Sequence, residues 1–341
     1  MVDESRRRRS PIQVSSPSLP SPVSNSSKKA SAHTAVLSLK NNPSNYATIL
    51  IIIGNIASSV FIVLVNKLAM TGFPFPTALT AFHQIFCWIF TYLLTSTHQL
   101  HIPTPLNTQE AVLLGTSYSL GVVFMNISLK HNSVGIYQLL KMACIPCIVL
   151  LQRILYSTHI PLETTTCLSL ILTGVGLSTI RELSLNPLGM IYGSLAVATT
   201  AIGQVWLANR HSAKQYDGLQ LVAVISPYTS IICILASLIF ESSAIPALFT
   251  NQDVNVPYIL ATCLLAVAAN YFGFSLIMST GAVTYQVVGH FKTVLTLGVG
   301  MLLSGGSSGD ISVLKGVGVV TSLVGMVWYS RIKTRKQKRV D

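Results

Sequence analysis

Ser133-Val-Gly-Ile-Tyr137-Gln138 opens an apolar run that carries a single buried-looking lysine, Lys141, and Gly281-Ala-Val-Thr-Tyr285-Gln286 opens another that carries Lys292. The two Tyr-Gln pairs stand 148 residues apart. A second echo, Asn66-Lys67 and Asn209-Arg210, has an offset of 143. Two echoes at nearly the same offset point to a duplicated unit of just under 150 residues. The runs that carry these motifs are each about 20 residues long, enough for a helix to cross a bilayer.

Working outward, ten such runs follow Tyr46: 48–68, 77–96, 110–129, 134–153, 164–181, 188–209, 219–240, 257–278, 282–303 and 311–330. Only a helix satisfies its own backbone in lipid, so an all-α membrane protein with ten transmembrane helices is expected. A duplicated unit of five spans is odd, so the second copy must be upside down relative to the first. Two inverted five-helix repeats, 47–181 and 182–330, are an arrangement of transporters, with the ligand between the halves. Spans four and nine then become symmetry mates, and Lys67 and Arg210 are placed at opposite mouths of a central cavity.

The charge pattern fixes the expected orientation. The net charge is +12, but seven of the 22 Lys/Arg precede residue 47 and six follow Tyr329. Arg153, Arg210 and Lys214 fall on the same side as the tails, and Lys130 and Arg181 on the other. This asymmetry puts both termini in the cytoplasm. Residues 1–46 are rich in Ser, Pro, Arg and Lys, a composition that buries too little to fold, and 331–341 form a second basic tail. The first tail has no apolar core of a secretory signal. Its arginines and serines resemble a transit peptide, but its prolines do not.

Several function classes are disfavoured. Half of the residues are hydrophobic and 9% are charged, well below the usage of a soluble domain. The basic excess belongs to tails beside a membrane rather than to a nucleic-acid surface. The six cysteines, Cys87, Cys144, Cys147, Cys167, Cys233 and Cys263, all lie in apolar runs, where they serve packing better than redox chemistry or metal binding. His83 in span two suits a helix–helix hydrogen bond. Gly189-x-x-x-Gly193 and the glycines at 298–306 and 316–318 suit close helix approach. No phosphate loop, nucleophile triad, cofactor motif or metal spacing is present, so no enzyme is expected.

The membrane charges point to the cargo. Lys141 and Lys292 lie well inside their spans, at a cost of several kcal/mol unless each meets water or a partner. All ten acidic residues lie in tails, loops or span ends. An anionic ligand is the natural counter-charge, and a phosphate or diphosphate suits a lysine pair. The alternative, a lysine stem covering helix surface with its head at the interface, suits Lys315 and Lys67 better. Missing buried carboxylates disfavour a cation exporter. Tyr137, Gln138, Tyr285, Gln286, Tyr228, Asn270 and Gln204 are further binding residues, able to bond sugar or base edges. Each also has a plain reading as an interhelical contact.

With these residues in view, Val283-Thr-Tyr-Gln-Val-Val-Gly-His-Phe-Lys-Thr293 resembles the ninth-helix motif of the triose-phosphate and nucleotide-sugar translocators, within the drug/metabolite transporter superfamily. Asn66-Lys67, Asn132–Gln138 with Lys141, Gln220-Leu with Ser226-Pro-Tyr228, and Gly325-Met-Val-Trp-Tyr329 extend the likeness over about 48–332. The resemblance implies ten helices in two inverted halves, alternating access and exchange. Plastid phosphate translocators carry Lys-Arg in helix nine, where this chain has Lys292-Thr293, and a helix-six arginine where it has Gln204. Lys-Thr is similar to the branch of UDP-xylose and UDP-rhamnose/UDP-galactose carriers. That branch implies a Golgi membrane, with a cytosolic UDP-sugar exchanged for a luminal nucleoside monophosphate. Lys141 and Lys292 would hold the phosphates, with Tyr228, Asn270 and the Tyr-Gln pairs at the nucleoside or sugar and Thr293 a further substrate-binding residue.

Two rivals stay open at this point. One is a plastid-type exchanger of phosphorylated metabolites for phosphate. The other is a non-transporting membrane scaffold. The endoplasmic reticulum is an alternative compartment, and packing glycines also allow a homodimer.

Overall fold

A computed structural model describes residues 45–102, 106–179, 186–210, 215–251, 253–303 and 313–337. Most of the first tail, the last four residues of the second, the 298–306 glycines beyond Leu303, Arg181 and Lys214 lie outside them, as does the side chain of Lys315. The described residues belong to one compact unit, Pro43–Asp341. They form helices and no strand.

In chain order the helices are α1 (Asn45–Gly72), α2 (Pro76–Ser96), α3 (Thr108–His131), α4 (Val134–Tyr156), α5 (Leu162–Thr179) and α6 (Pro187–Asn209). There follow α7 (Gly218–Phe240), the short α8 (Ala244–Thr250), α9 (Val256–Thr280), α10 (Ala282–Leu303) and α11 (Val313–Gln337). Seven of these are long and apolar enough to cross a membrane: α1, α2, α3, α4, α6, α7 and α9. Shorter apolar stretches occupy Leu162–Leu177 in α5 and Gly316–Ile332 in α11. Each of the ten expected runs coincides with a helix. The short α8 was not anticipated, because seven residues around Pro246 carry too little periodicity to read.

Local chemistry sets the helix starts. Asn107, Ser133, Asn186 and Asn255 each accept a hydrogen bond from a backbone N–H of the first turn that follows. Asp217 and Gln220 form a reciprocal capping box at the head of α7. Pro76 and Pro187 open α2 and α6, where a missing N–H costs nothing. Between α9 and α10 the chain turns at Gly281 with φ of 89°, a conformation that side chains disfavour.

The main helix pairs are α3 with α6, α1 with α9, α2 with α7, and α5 with α11; α4 also packs on α6 and touches α10. Small residues bring these pairs together. On α6, a methyl group at Gly189 would collide with Asn132, and one at Gly193 with Leu140 and Ser128. Gly174 of α5 lies against Ser322 and Gly318 of α11, and Gly325 against Ile171. Gly54 of α1 receives the ring of Phe272 on α9. Lipid gives helices little hydrophobic reason to associate, so close backbone approach matters more than in water. The outer faces carry large exposed apolar side chains, including Leu50, Phe61 and Leu64 on α1 and Ile239 on α7. Such a belt suits hydrocarbon and would be a liability in water. The molecule is a multi-pass membrane protein.

Candidate functional site

Helical spacing explains how each lysine meets an aromatic ring. Tyr137 and Lys141 are four residues apart on α4 and so share a face. The Lys141 ammonium stands 4.6 Å from the Tyr137 ring centroid. Tyr285 and Lys292 are seven apart on α10, two turns along one face, and the ammonium lies 5.9 Å from that ring. Such contacts favour a cation in a dry setting. Lys292 also donates to Ser59 Oγ of α1 at 2.7 Å. α4 packs on α10, with Ala282 and Val283 of α10 clustered against Leu140 and Cys144 of α4, so the two lysines stand on neighbouring helices.

The other sequence-predicted residues divide. Gln286 donates from Nε2 to Gln204 Oε1 at 2.9 Å, joining α10 to α6. Gln138 Oε1 is buried and has no hydrogen-bond partner among the described residues. Thr293 bonds weakly back to the Gly289 carbonyl of its own helix at 3.4 Å. Tyr228, after Pro227 in α7, packs where α7 meets α3, with its Cβ against Gly115. Asn270 accepts from the Tyr118 hydroxyl at 2.6 Å and donates to Cys87 Sγ at 3.5 Å. Lys67 is exposed and does not join this group. Its partner in the expected pair of mouths, Arg210, lies 3.7 Å from Glu110 and over the Trp206 ring.

A cavity of about 580 Å³ lies at the end of the bundle where α1 runs into α2. It is walled by α1, α2, α3, α9 and the end of α7, and neither lysine lines it. Asn270 is the one predicted residue on its wall; Asn66, Gln84, Tyr118 and Asn126 stand with it. His83 is also there, its Nε2 3.0 Å from Thr262 Oγ1, the helix contact expected of it. Glu241 closes one side. Its two carboxylate oxygens accept from Thr77 N–H at 3.2 Å and Ala78 N–H at 2.9 Å, so it caps α2 from the end of α7.

Sequence reading passed over Asn55 and Ser59 on α1, and it used Asn66 only as part of an echo. A signal for all three existed. Asn55, Ser59, Ile62 and Asn66 are spaced i, i+4, i+7, i+11, one face of a helix otherwise rich in Ile, Leu and Val.

Known proteins identify the family. The model of the Triose-phosphate Transporter family matches residues 46–330. UDP-xylose transporter 2 of Arabidopsis thaliana is 33% identical over 288 residues, spanning 81% of this chain and 78% of that one. UDP-rhamnose/UDP-galactose transporter 1 of the same plant is 29% identical over 291 residues, spanning 81% and 80%. A crystal structure only 15% identical superposes with a TM-score of 0.66 over 86% of this chain and 99% of its own, a likeness of fold. By the family model and the identity to its relatives, this chain belongs to the triose-phosphate transporter family.

Proposed function

We propose that the protein exchanges a cytosolic nucleotide sugar, a UDP-sugar, for a luminal nucleoside monophosphate across the Golgi membrane by alternating access. The observation that carries this reading is the packing of α4 on α10, which sets Lys141 and Lys292 on neighbouring helices inside the bundle. Two like charges there repel one another, and a diphosphate between them would offset both. The relatives are named as transporters of UDP-sugars. The helix-nine pair Lys292-Thr293, without a second cation, favours a nucleotide diphosphate over a bare phosphate, as a guanidinium fork would grip the latter.

The helix pairing supports ten spans in two inverted halves, and the basic residues at both ends of the sequence support cytoplasmic termini. If α1–α5 form one half, and α6, α7, α9, α10 and α11 the other, the contacts obey an exchange rule. The third helix of each half packs on the first of the other: α3 on α6, and α9 on α1. The second helices pair, as do the fourth and the fifth: α2 with α7, α4 with α10, α5 with α11. In this reading the 580 Å³ cavity lies at the luminal end. The lysines with their tyrosines, Gln138 and Thr293 form the phosphate and nucleoside site.

The test is counterflow in proteoliposomes preloaded with UMP, GMP, CMP or phosphate and offered labelled nucleotide sugars. Uptake of UDP-sugars driven by UMP is expected. Exchange of phosphate alone would replace this function with a plastid-type one.

A further inference from the structure

The cavity and the lysine neighbourhood lie on the same face of α1. Ser59, which holds Lys292, is followed on that face by Ile62 and Asn66, both on the cavity wall. At about 1.5 Å of rise per residue, Ser59 and Asn66 are about 10 Å apart along the helix. The two sites are therefore neighbours, spaced like two parts of one elongated ligand.

The cavity differs from the lysine site in kind. Its hydrogen-bonding groups are neutral and scattered: Asn66, Gln84, Asn126, Asn270 and the hydroxyls of Thr80 and Tyr118, from four helices. Its charged residues stand at the end of the bundle. Lys130 is exposed, and both oxygens of Glu241 are engaged with α2. A second anionic group finds no counter-charge in the interior of that wall. Its aromatic rings are also committed to other rings. Phe75 packs on Phe73 at 5.1 Å, Tyr118 on Phe274 at 5.3 Å, and Phe240 on Tyr192 at 6.1 Å. Rings suited to a flat base lie instead beside the lysines, in Tyr137 and Tyr285.

One atom points to the occupant. Asn66 Oδ1 is buried on this wall without a hydrogen-bond partner among the described residues. A buried acceptor left unmet costs stability, and a hydroxyl donor from a ligand removes that cost. Asn126 spends its Nδ2 on Thr80 at 3.3 Å, which leaves its carbonyl as another acceptor for the same kind of group.

Resting on the nucleotide-sugar reading above, we propose that this cavity is the subsite for the uncharged sugar ring of the ligand, with Asn66 Oδ1 accepting from a sugar hydroxyl and Asn126 assisting. The diphosphate then stays with the lysines and the base with the tyrosines. A nucleoside monophosphate lacks the ring and leaves the cavity empty, so the two exchanged ligands depend on Asn66 differently.

The test compares two exchanges in proteoliposomes, UDP-sugar against internal UMP and UMP against internal UMP, for wild type, N66A and N126A. A single lost hydrogen bond is expected to raise KM for the UDP-sugar about tenfold in N66A and several-fold in N126A, while KM for UMP changes less than about twofold. Wild type should also discriminate against a UDP-deoxysugar lacking the contacted hydroxyl, and N66A should not. Equal losses in both exchanges, or no loss in either, overturn the subsite. Should N66A not fold, N126A decides by the same comparison. A larger effect on UMP than on the UDP-sugar would give the cavity to the nucleoside and overturn the assignment. Failure of the functional reading looks different: wild type itself would exchange phosphate esters and no nucleotide sugar.

Discussion

Helices α4 and α10 begin with the same Tyr-Gln pair and carry the same deep lysine, yet the two use them differently. On α10, Gln286 is bonded to Gln204 and Lys292 to Ser59, so its polar groups are tied to α6 and α1. On α4, Gln138 keeps a buried acceptor without a partner, and Lys141 lies over its own helix's tyrosine. The matching residues therefore differ in how far neighbouring helices engage them: the α10 set is bonded across to other helices, and the α4 set is not.

The largest effect should come from removing both charges. The double variant K141A/K292A is expected to lose about 100-fold or more in UDP-sugar exchange, since each bond to a charged group is worth about 1.5–3 kcal/mol. Each single variant should lose about tenfold or more. If the double variant transports normally, the lysines do not touch cargo.

The paired glutamines test the asymmetry itself. Q286L strands Gln204 and should destabilise the detergent-solubilised protein by about 1–3 kcal/mol, read as a lower melting temperature. Q138L strands nothing, so it should leave melting nearly unchanged and weaken UMP-dependent thermal stabilisation instead. The reverse pattern would exchange the roles of the two helices. S59A comes next. It removes one partner of Lys292, and a several-fold rise in KM is expected from a contribution of about 0.5–1.5 kcal/mol. Smallest of all, E110Q breaks the exposed ion pair with Arg210, and a change of less than about 1 kcal/mol in stability is expected.

Much of this was legible in the sequence because the bilayer leaves few choices. Lengths of apolar run near 20 residues gave helices whose ends fell where Ser133, Asn186, Asp217 and Asn255 provide caps. The lysines were visible because a charge in an apolar run is costly. The cavity was not visible, because its wall is assembled from five helices by neutral side chains whose meeting depends on helix pairing. Asn55, Ser59 and Asn66 hid in a strongly apolar helix; only their shared face singles them out. Lys67, the more conspicuous neighbour of Asn66, is the one that turns outward. Glu241 reads as a residue after a span, yet it is buried because α2 offers it two free N–H groups.

The central claim is that the two lysines hold the diphosphate of a UDP-sugar in exchange for UMP. The most direct measurement is the initial rate of labelled UDP-xylose and UDP-galactose uptake into proteoliposomes loaded with UMP, beside empty ones, for wild type and K141A/K292A. Strong stimulation by internal UMP in wild type, abolished in the double variant, is the predicted result. Uptake indifferent to internal UMP, or equal in the double variant, would contradict the account.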